Sequence, residues 1–127
     1  MMYLLDTHAV IWYLMDDDKM PEKLKETINR SEDVYVSMAT FWEMQIKEDI
    51  GKLPLQNAVD KVWKLCAEKN IRILPIGIDH IKYLHELPMI HNDPFDRVIL
   101  SQAKVEDMVL ISKDEKIQKY DVNVLWD

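Results

Sequence analysis

Short apolar runs separated by segments of helical periodicity constrain this chain more than any other feature: Tyr3-Leu4-Leu5, Val34-Tyr35-Val36, Ile71 to Ile76 and Val109-Leu110-Ile111. Runs of this length without strict polar alternation fit strands buried on both faces. Strands that alternate with helices need crossover connections, which lay helices over both faces of a mostly parallel sheet. The expected architecture is a three-layer α/β/α sandwich, with a last strand over 122–125. At 127 residues the chain suits one domain, 1–127. A domain of that size buries roughly two-thirds of the surface its unfolded chain exposes.

The helical segments have readable starts and stops. His8 to Met15 carries Val10, Ile11, Tyr13 and Leu14 at near-helical spacing, and Pro21 opens a second helix through Asn29, with Leu24 and Ile28 four apart. Ser37 is placed to cap a third helix to about Asp49, whose apolar stripe is Met38, Phe41, Trp42 and Ile46, with Glu43 at its flank. After Gly51 and Pro54, a helix from Leu55 to Lys69 is expected to turn Ala58, Val59, Val62, Trp63, Leu65 and Cys66 inward, closed by Asn70. A short helix from Asp79 to about Glu86 stops before Pro88. Asp93-Pro94 pairs a capping side chain with a proline at the first helical position, and Phe95, Val98, Ile99, Gln102 and Ala103 follow on one face. Ser112-Lys113-Asp114 leads into a final short helix.

Composition excludes several classes. The lone cysteine, Cys66, cannot form an intramolecular disulfide, so nothing indicates an oxidising compartment and a cytoplasmic location is expected. The first residues, Met1-Met2-Tyr3-Leu4-Leu5, have no basic flank, and no apolar stretch approaches the ~20 residues of a membrane helix; neither signal peptide nor anchor is expected. A net charge of -7 argues against coating nucleic acid through basic side chains. It does not exclude phosphate chemistry, because bound divalent cations would invert the local field at an acidic site.

Four carboxylates stand where such a site would be built. Asp6 and Asp114 follow apolar strands, and ligands of open parallel sheets bind at the carboxyl ends of strands. Asp96 falls in the first turn of its helix, starting from the same edge, and Glu43 is borne on the third helix. Hydrolysis of a phosphodiester needs a water deprotonated near neutral pH and charge neutralised on the phosphoryl oxygens, and Mg²⁺ or Mn²⁺ supplies both. All-oxygen ligands suit these hard cations better than zinc. Taken singly, each acid has a plainer reading: Asp6 and Asp114 as helix caps, Glu43 as a solvated helix residue, Asp96 as a partner of the helix dipole. Asp93, just before Pro94, is read as a cap outright. Their convergence on one sheet edge favours the joint reading.

Other groups offer less. His8, His80, His85 and His91 form no metal-ligand motif, no glycine-rich phosphate loop exists, and Ser37 lacks the surroundings of a nucleophile. The four tryptophans are expected as core or interface aromatics. Lys47, Lys52, Arg97, Lys104, Lys113 and Lys116 could rim a phosphate-binding cleft, Arg97 and Lys113 above the rest.

Leu4-Leu5-Asp6-Thr7-His8, Ser37-x-x-Thr40-x-Trp42-Glu43, Asp93-Pro94-Phe95-Asp96-Arg97 and Ser112-x-Asp114 together resemble the PIN-domain family, and within it the VapC-type toxins of toxin–antitoxin pairs. The resemblance implies a PIN-like fold and a metal-dependent ribonuclease acting on RNA. It further implies a homodimer inhibited by a cognate antitoxin. Carried over by position, Asp6 and Asp96 match the family's principal Mg²⁺ ligands, Glu43 its helix-borne acid, Asp114 its fourth, more variable acid, and Thr7 the small hydroxyl residue after the first acid. His8 stands where many members have Asn. Two alternatives stay open: a Mg²⁺-dependent phosphatase with Asp6 as aspartyl nucleophile, although the second aspartate expected two residues later is His8, and a binding module whose acids no longer act.

Overall fold

The computed structural model describes residues 1–127. Five strands, β1 (Tyr3–Leu5), β2 (Val34–Ser37), β3 (Arg72–Leu74), β4 (Val109–Ile111) and β5 (Val124–Leu125), form one sheet in the order β3-β2-β1-β4-β5. Every pairing is parallel, so the expected mostly parallel sheet is wholly so. Six helices join or flank them: α1 (Thr7–Leu14), α2 (Glu22–Arg30), α3 (Met38–Asp49), α4 (Ala58–Glu68), α5 (Ile78–Tyr83) and α6 (Pro94–Val105). No helix is long and apolar enough to cross a membrane.

Successive side chains of a strand point to opposite faces, and the two cores follow from that rule. Leu5, Val34, Val36 and Ile111 pack on one face with Val10 and Tyr13 of α1, Leu24 and Ile28 of α2, and Val62 and Cys66 of α4. Leu4 and Leu110 pack on the other with Ile99, Leu100 and Ala103 of α6. Leu4, Leu5, Leu110 and Ile111 are fully buried, each worth about 1.5–3 kcal/mol in apolar transfer. β1 is central because its residues are apolar on both faces.

The chain builds outward from β1 through β2 to β3, then returns to the other side of β1 with β4. That reversal opens a crevice at the carboxyl ends of β1 and β4, the place where open α/β sheets bind ligands. Leu5 lies opposite Ile111 in the ladder, and the Asp6 N–H donates to the Ile111 carbonyl at 3.1 Å. The residues after these two strands therefore emerge side by side.

Several expected boundaries and faces shift. The stripe read for α3 is largely solvent-facing: Met38, Trp42 and Ile46 are exposed, while Ala39, Thr40, Phe41, Glu43 and Met44 are buried. A polar network around Glu43, described below, fixes which side of α3 faces inward. α4 begins at Ala58, three residues later than expected, because the Glu48 carboxylate accepts the N–H groups of Asn57 and Ala58 and fixes the start of the helix there. Trp63 of α4 is exposed. Asn70 closes α4 as expected, in the left-handed conformation with φ 58°. The helix expected after Asp114 is a single 3₁₀ turn, Ile117–Lys119.

Candidate functional site

Asp6 directly follows β1 and caps α1. Its carboxylate accepts the Ala9 N–H at 2.9 Å, which orients α1 away from the sheet edge. Burial drives its carboxyl above the usual range, against the hydrogen bonds from Ser112 and Ala9 and the nearby His8, and the neighbouring Asp114 adds to the rise. Asp6 is thus a buried acid without full compensation.

Glu43 is held from two sides. Thr7, the residue after Asp6, donates its hydroxyl to Glu43 Oε1 at 2.7 Å, and Lys47 one turn along α3 donates to Oε2 at 2.7 Å. The Thr40 hydroxyl, fully buried, lies 3.0 Å from that of Thr7, so α1 and α3 are tied together beneath the site. This network is why α3 turns a carboxylate inward and leaves Trp42 outside.

Asp93 caps α6 as the sequence indicates, accepting the N–H groups of Phe95 at 2.9 Å and Asp96 at 3.0 Å. Asp96, in the first turn, therefore has its own N–H satisfied while its carboxylate points elsewhere. Burial first, then the charges of Asp93, Glu43 and Asp6, raise the Asp96 carboxyl to about 7, with His91 opposing them. Such a group is stabilised by any cation that arrives beside it.

Asp114 is the opposite case. Burial pushes its carboxyl up, but the hydrogen bond from His91 Nε2 at 2.9 Å and the Lys116 N–H at 2.8 Å outweigh this and hold it below the usual range. Four acids thus divide into two pairs: Glu43 and Asp114 have partners for both oxygens, whereas Asp6 and Asp96 carry a burial cost that their neighbours do not offset. All four line one cavity of about 370 Å³, together with Asp93, Thr7, His8, Trp12, Lys47 and Lys113.

His91 is the group that the sequence reading missed. Its Nε2 lies 2.9 Å from Asp114 Oδ2 and 2.9 Å from Asp96 Oδ2, and the three residues could share a cation. Its Nδ1 accepts the Asp93 N–H at 3.2 Å, which leaves the ring proton on Nε2, facing the acids. The Tyr120 hydroxyl accepts the His91 N–H at 2.8 Å and donates to the Pro88 carbonyl at 2.8 Å, fixing the loop that carries the ring. Search by helical His spacing could not find it, because its partners lie 2, 5 and 23 positions away across a loop and a strand; its nearness to the Asp93 cap was the available signal.

The basic rim is smaller than expected. Arg97 turns from the cavity and donates to the carbonyls of Leu84 at 3.2 Å, Leu87 at 3.4 Å and Pro88 at 3.0 Å, so it is a loop anchor rather than a phosphate contact. Lys104 pairs with Asp121 at 3.3 Å. Of the six basic side chains considered, Lys47 and Lys113 line the cavity. His8 stacks on Trp12, with ring centroids 5.4 Å apart.

Comparison with solved structures shows the same architecture elsewhere. The chain superposes along 100% of both lengths on a chain of VapBC2 from Rickettsia felis bound to a promoter DNA fragment, with a TM-score of 0.75 at 16% identity. For VapBC-1 from nontypeable Haemophilus influenzae the TM-score is 0.66 at 22% identity, over 98% of this chain and 97% of that one. FitAcB from Neisseria gonorrhoeae gives 0.63 at 24%, over 98% and 96%. Identities this low speak to the fold alone. No curated protein matches the sequence. The sequence model of the PIN domain, however, matches residues 3–123, from the first residue of β1 to the residue before β5. With a match over nearly its whole length and this sheet beneath it, the chain belongs to the PIN domain family.

Proposed function

We propose that this chain is a Mg²⁺- or Mn²⁺-dependent endoribonuclease, the VapC-type toxin of a toxin–antitoxin pair. The observation that carries the reading is the division among the acids: two carboxylates partnered on both oxygens, Glu43 and Asp114, beside two that burial holds above the usual range despite their partners, Asp6 and Asp96, in one cavity. The raised carboxyls of Asp6 and Asp96 fit a divalent cation, which would relieve the cost of holding them ionised. These two residues would hold it.

A bound cation of this kind supplies an activated water and neutralises charge on the phosphoryl oxygens. The chain's own residues supply the rest. Thr7 and Lys47 hold Glu43 in a fixed orientation toward the cavity, and His91 with the Lys116 N–H does the same for Asp114. Lys113 and Lys47 bring positive charge to a rim that is otherwise acidic. His8 occupies the position of the second acid that an aspartyl-phosphate mechanism would use, so that alternative gains nothing from the geometry.

The toxin reading draws on the neighbours, which are VapBC complexes, and it extends to a cognate antitoxin, a homodimer and a cytoplasmic location. It also supplies protein partners for the apolar side chains Met38, Trp42, Ile46 and Ile50, which α3 and its end leave exposed. The test is cleavage of single-stranded RNA with added Mg²⁺ or Mn²⁺ by wild type, Asp6→Asn and Asp96→Asn. Loss of cleavage in both folded variants is expected, and wild-type activity in both would sink the assignment.

A further inference from the structure

The acids of the cavity account for phosphate chemistry and leave one part of its lining unexplained. Trp12 is the single apolar side chain among those that line it. On its ring lies that of His8, one helical turn earlier on α1, with centroids 5.4 Å apart and planes inclined by only 12°. Trp126 meets Trp12 edge-on with ring centroids 5.7 Å apart, and both pack against the core, so the stack is braced against the fold. The Lys113 ammonium lies 6.0 Å from the centre of the Trp12 ring. His8 is exposed, and both rings border the cavity that contains Asp6 and Asp96.

A pair of stacked rings with one member open, beside a cation and at the edge of a phosphate-handling site, is the arrangement by which proteins hold unpaired bases. Single-stranded nucleic acid binds through aromatic faces that extend its own base stack, with basic side chains following the backbone. Every base has a π-face, so such a platform tolerates sequence while rejecting a backbone that lacks a base. Helical geometry alone does not require it, because a solvated pair at this spacing on α1 would serve the fold equally well if polar.

We propose that the His8–Trp12 stack is a nucleobase platform, which binds one unpaired base of the substrate next to the phosphate that the acids address, with Lys113 on the adjoining backbone. The proposal rests on the nuclease reading for its substrate, yet its recognition element is the base and needs no cation. Trp12 packs against the core and meets Trp126, whereas His8 is exposed and its aromatic contact is with Trp12. His8 is therefore the residue to vary.

The experiment is an NMR titration of wild type, His8→Ala and His8→Phe with adenosine 5′-monophosphate and, separately, with ribose 5-phosphate, beside steady-state cleavage of a short oligoadenylate. Adenosine monophosphate is expected to shift the Trp12 indole N–H resonance, and ribose phosphate is not. His8→Ala should weaken nucleotide binding by about tenfold and raise KM with little change in kcat, while His8→Phe restores both. Equal responses to the two phosphates, or unchanged nucleotide binding in His8→Ala, would overturn the platform. If wild type cleaves RNA but His8→Ala behaves like it, the platform alone fails. If nucleotide binding depends on His8 while no RNA is cleaved under any cation, the nuclease reading fails and the platform stands.

Discussion

Thr7 donates its hydroxyl proton to Glu43 across 2.7 Å, joining the first turn of α1 to the middle of α3. A hydroxyl has one proton to give, so the Thr40 hydroxyl, 3.0 Å away, must be the donor to Thr7, and the three side chains form a relay with one direction. Thr7→Val preserves shape and removes both bonds. It should lower stability by about 1–3 kcal/mol, because two buried polar groups lose their partner. It should also cut cleavage by roughly 10–100-fold through the loosened Glu43 carboxylate. Urea denaturation and RNA cleavage assays measure the two effects separately.

The pH dependence of stability follows from Asp96. Its carboxyl titrates near 7 in the folded protein against a usual value of 3.8, so the folded state retains a proton that the unfolded chain has released. The resulting stabilisation is complete below the unfolded value and is lost as pH rises through about 7. Without divalent cations, Asp96→Asn should therefore exceed wild type in stability at pH 8, by roughly 2–4 kcal/mol, and approach it at pH 4. Denaturation in a chelating buffer at the two pH values decides the point; a variant less stable than wild type at pH 8 contradicts it.

Cations should act with the opposite bias. A cation held by Asp6 and Asp96 requires both ionised, so added Mn²⁺ should raise the melting temperature more at pH 8 than at pH 5. At a concentration about 100 times its dissociation constant the gain would be about 2.7 kcal/mol. Asp6→Asn and Asp96→Asn should each abolish the shift, whereas a shift that persists in both places the cation elsewhere.

His91 and Tyr120 form a support whose loss has a distinct signature. Tyr120→Phe removes the acceptor of the His91 N–H and the donor to Pro88, and should cost about 1–3 kcal/mol. His91→Phe removes the donor to Asp114 and frees that carboxyl to rise. His91→Gln keeps an N–H donor and should restore part of the activity lost in His91→Phe. Equal activity in the two His91 variants would remove the hydrogen bond from the explanation.

The order of elements was legible because apolar runs and capping residues act locally. Asp93 before Pro94 marks the start of α6 in the sequence and in the fold alike. The four acids were legible as lining one place because two of them, Asp6 and Asp114, follow adjacent strands. What escaped were the features that depend on partners far along the chain. The inward face of α3 could not be read, since Glu43 is buried only because Thr7 and Lys47 complete it, and hydrophobicity alone favoured Trp42. His91 was hidden for the same reason, and so were the loop carbonyls that claim the donors of Arg97, a side chain the sequence offers only as a candidate for the phosphate rim.

The strand order also bears on when the crevice can form during folding. β1 pairs with β4, although β4 follows it in the chain only at Val109–Ile111. A nascent chain that stops before β4 already carries Asp6, Glu43 and Asp96, but β1 has an open edge and nothing sets Asp114 or closes the crevice. Parallel pairing over such a sequence separation forms late and cannot be anticipated by local structure. The four acids therefore stand together only once β4 has paired with β1.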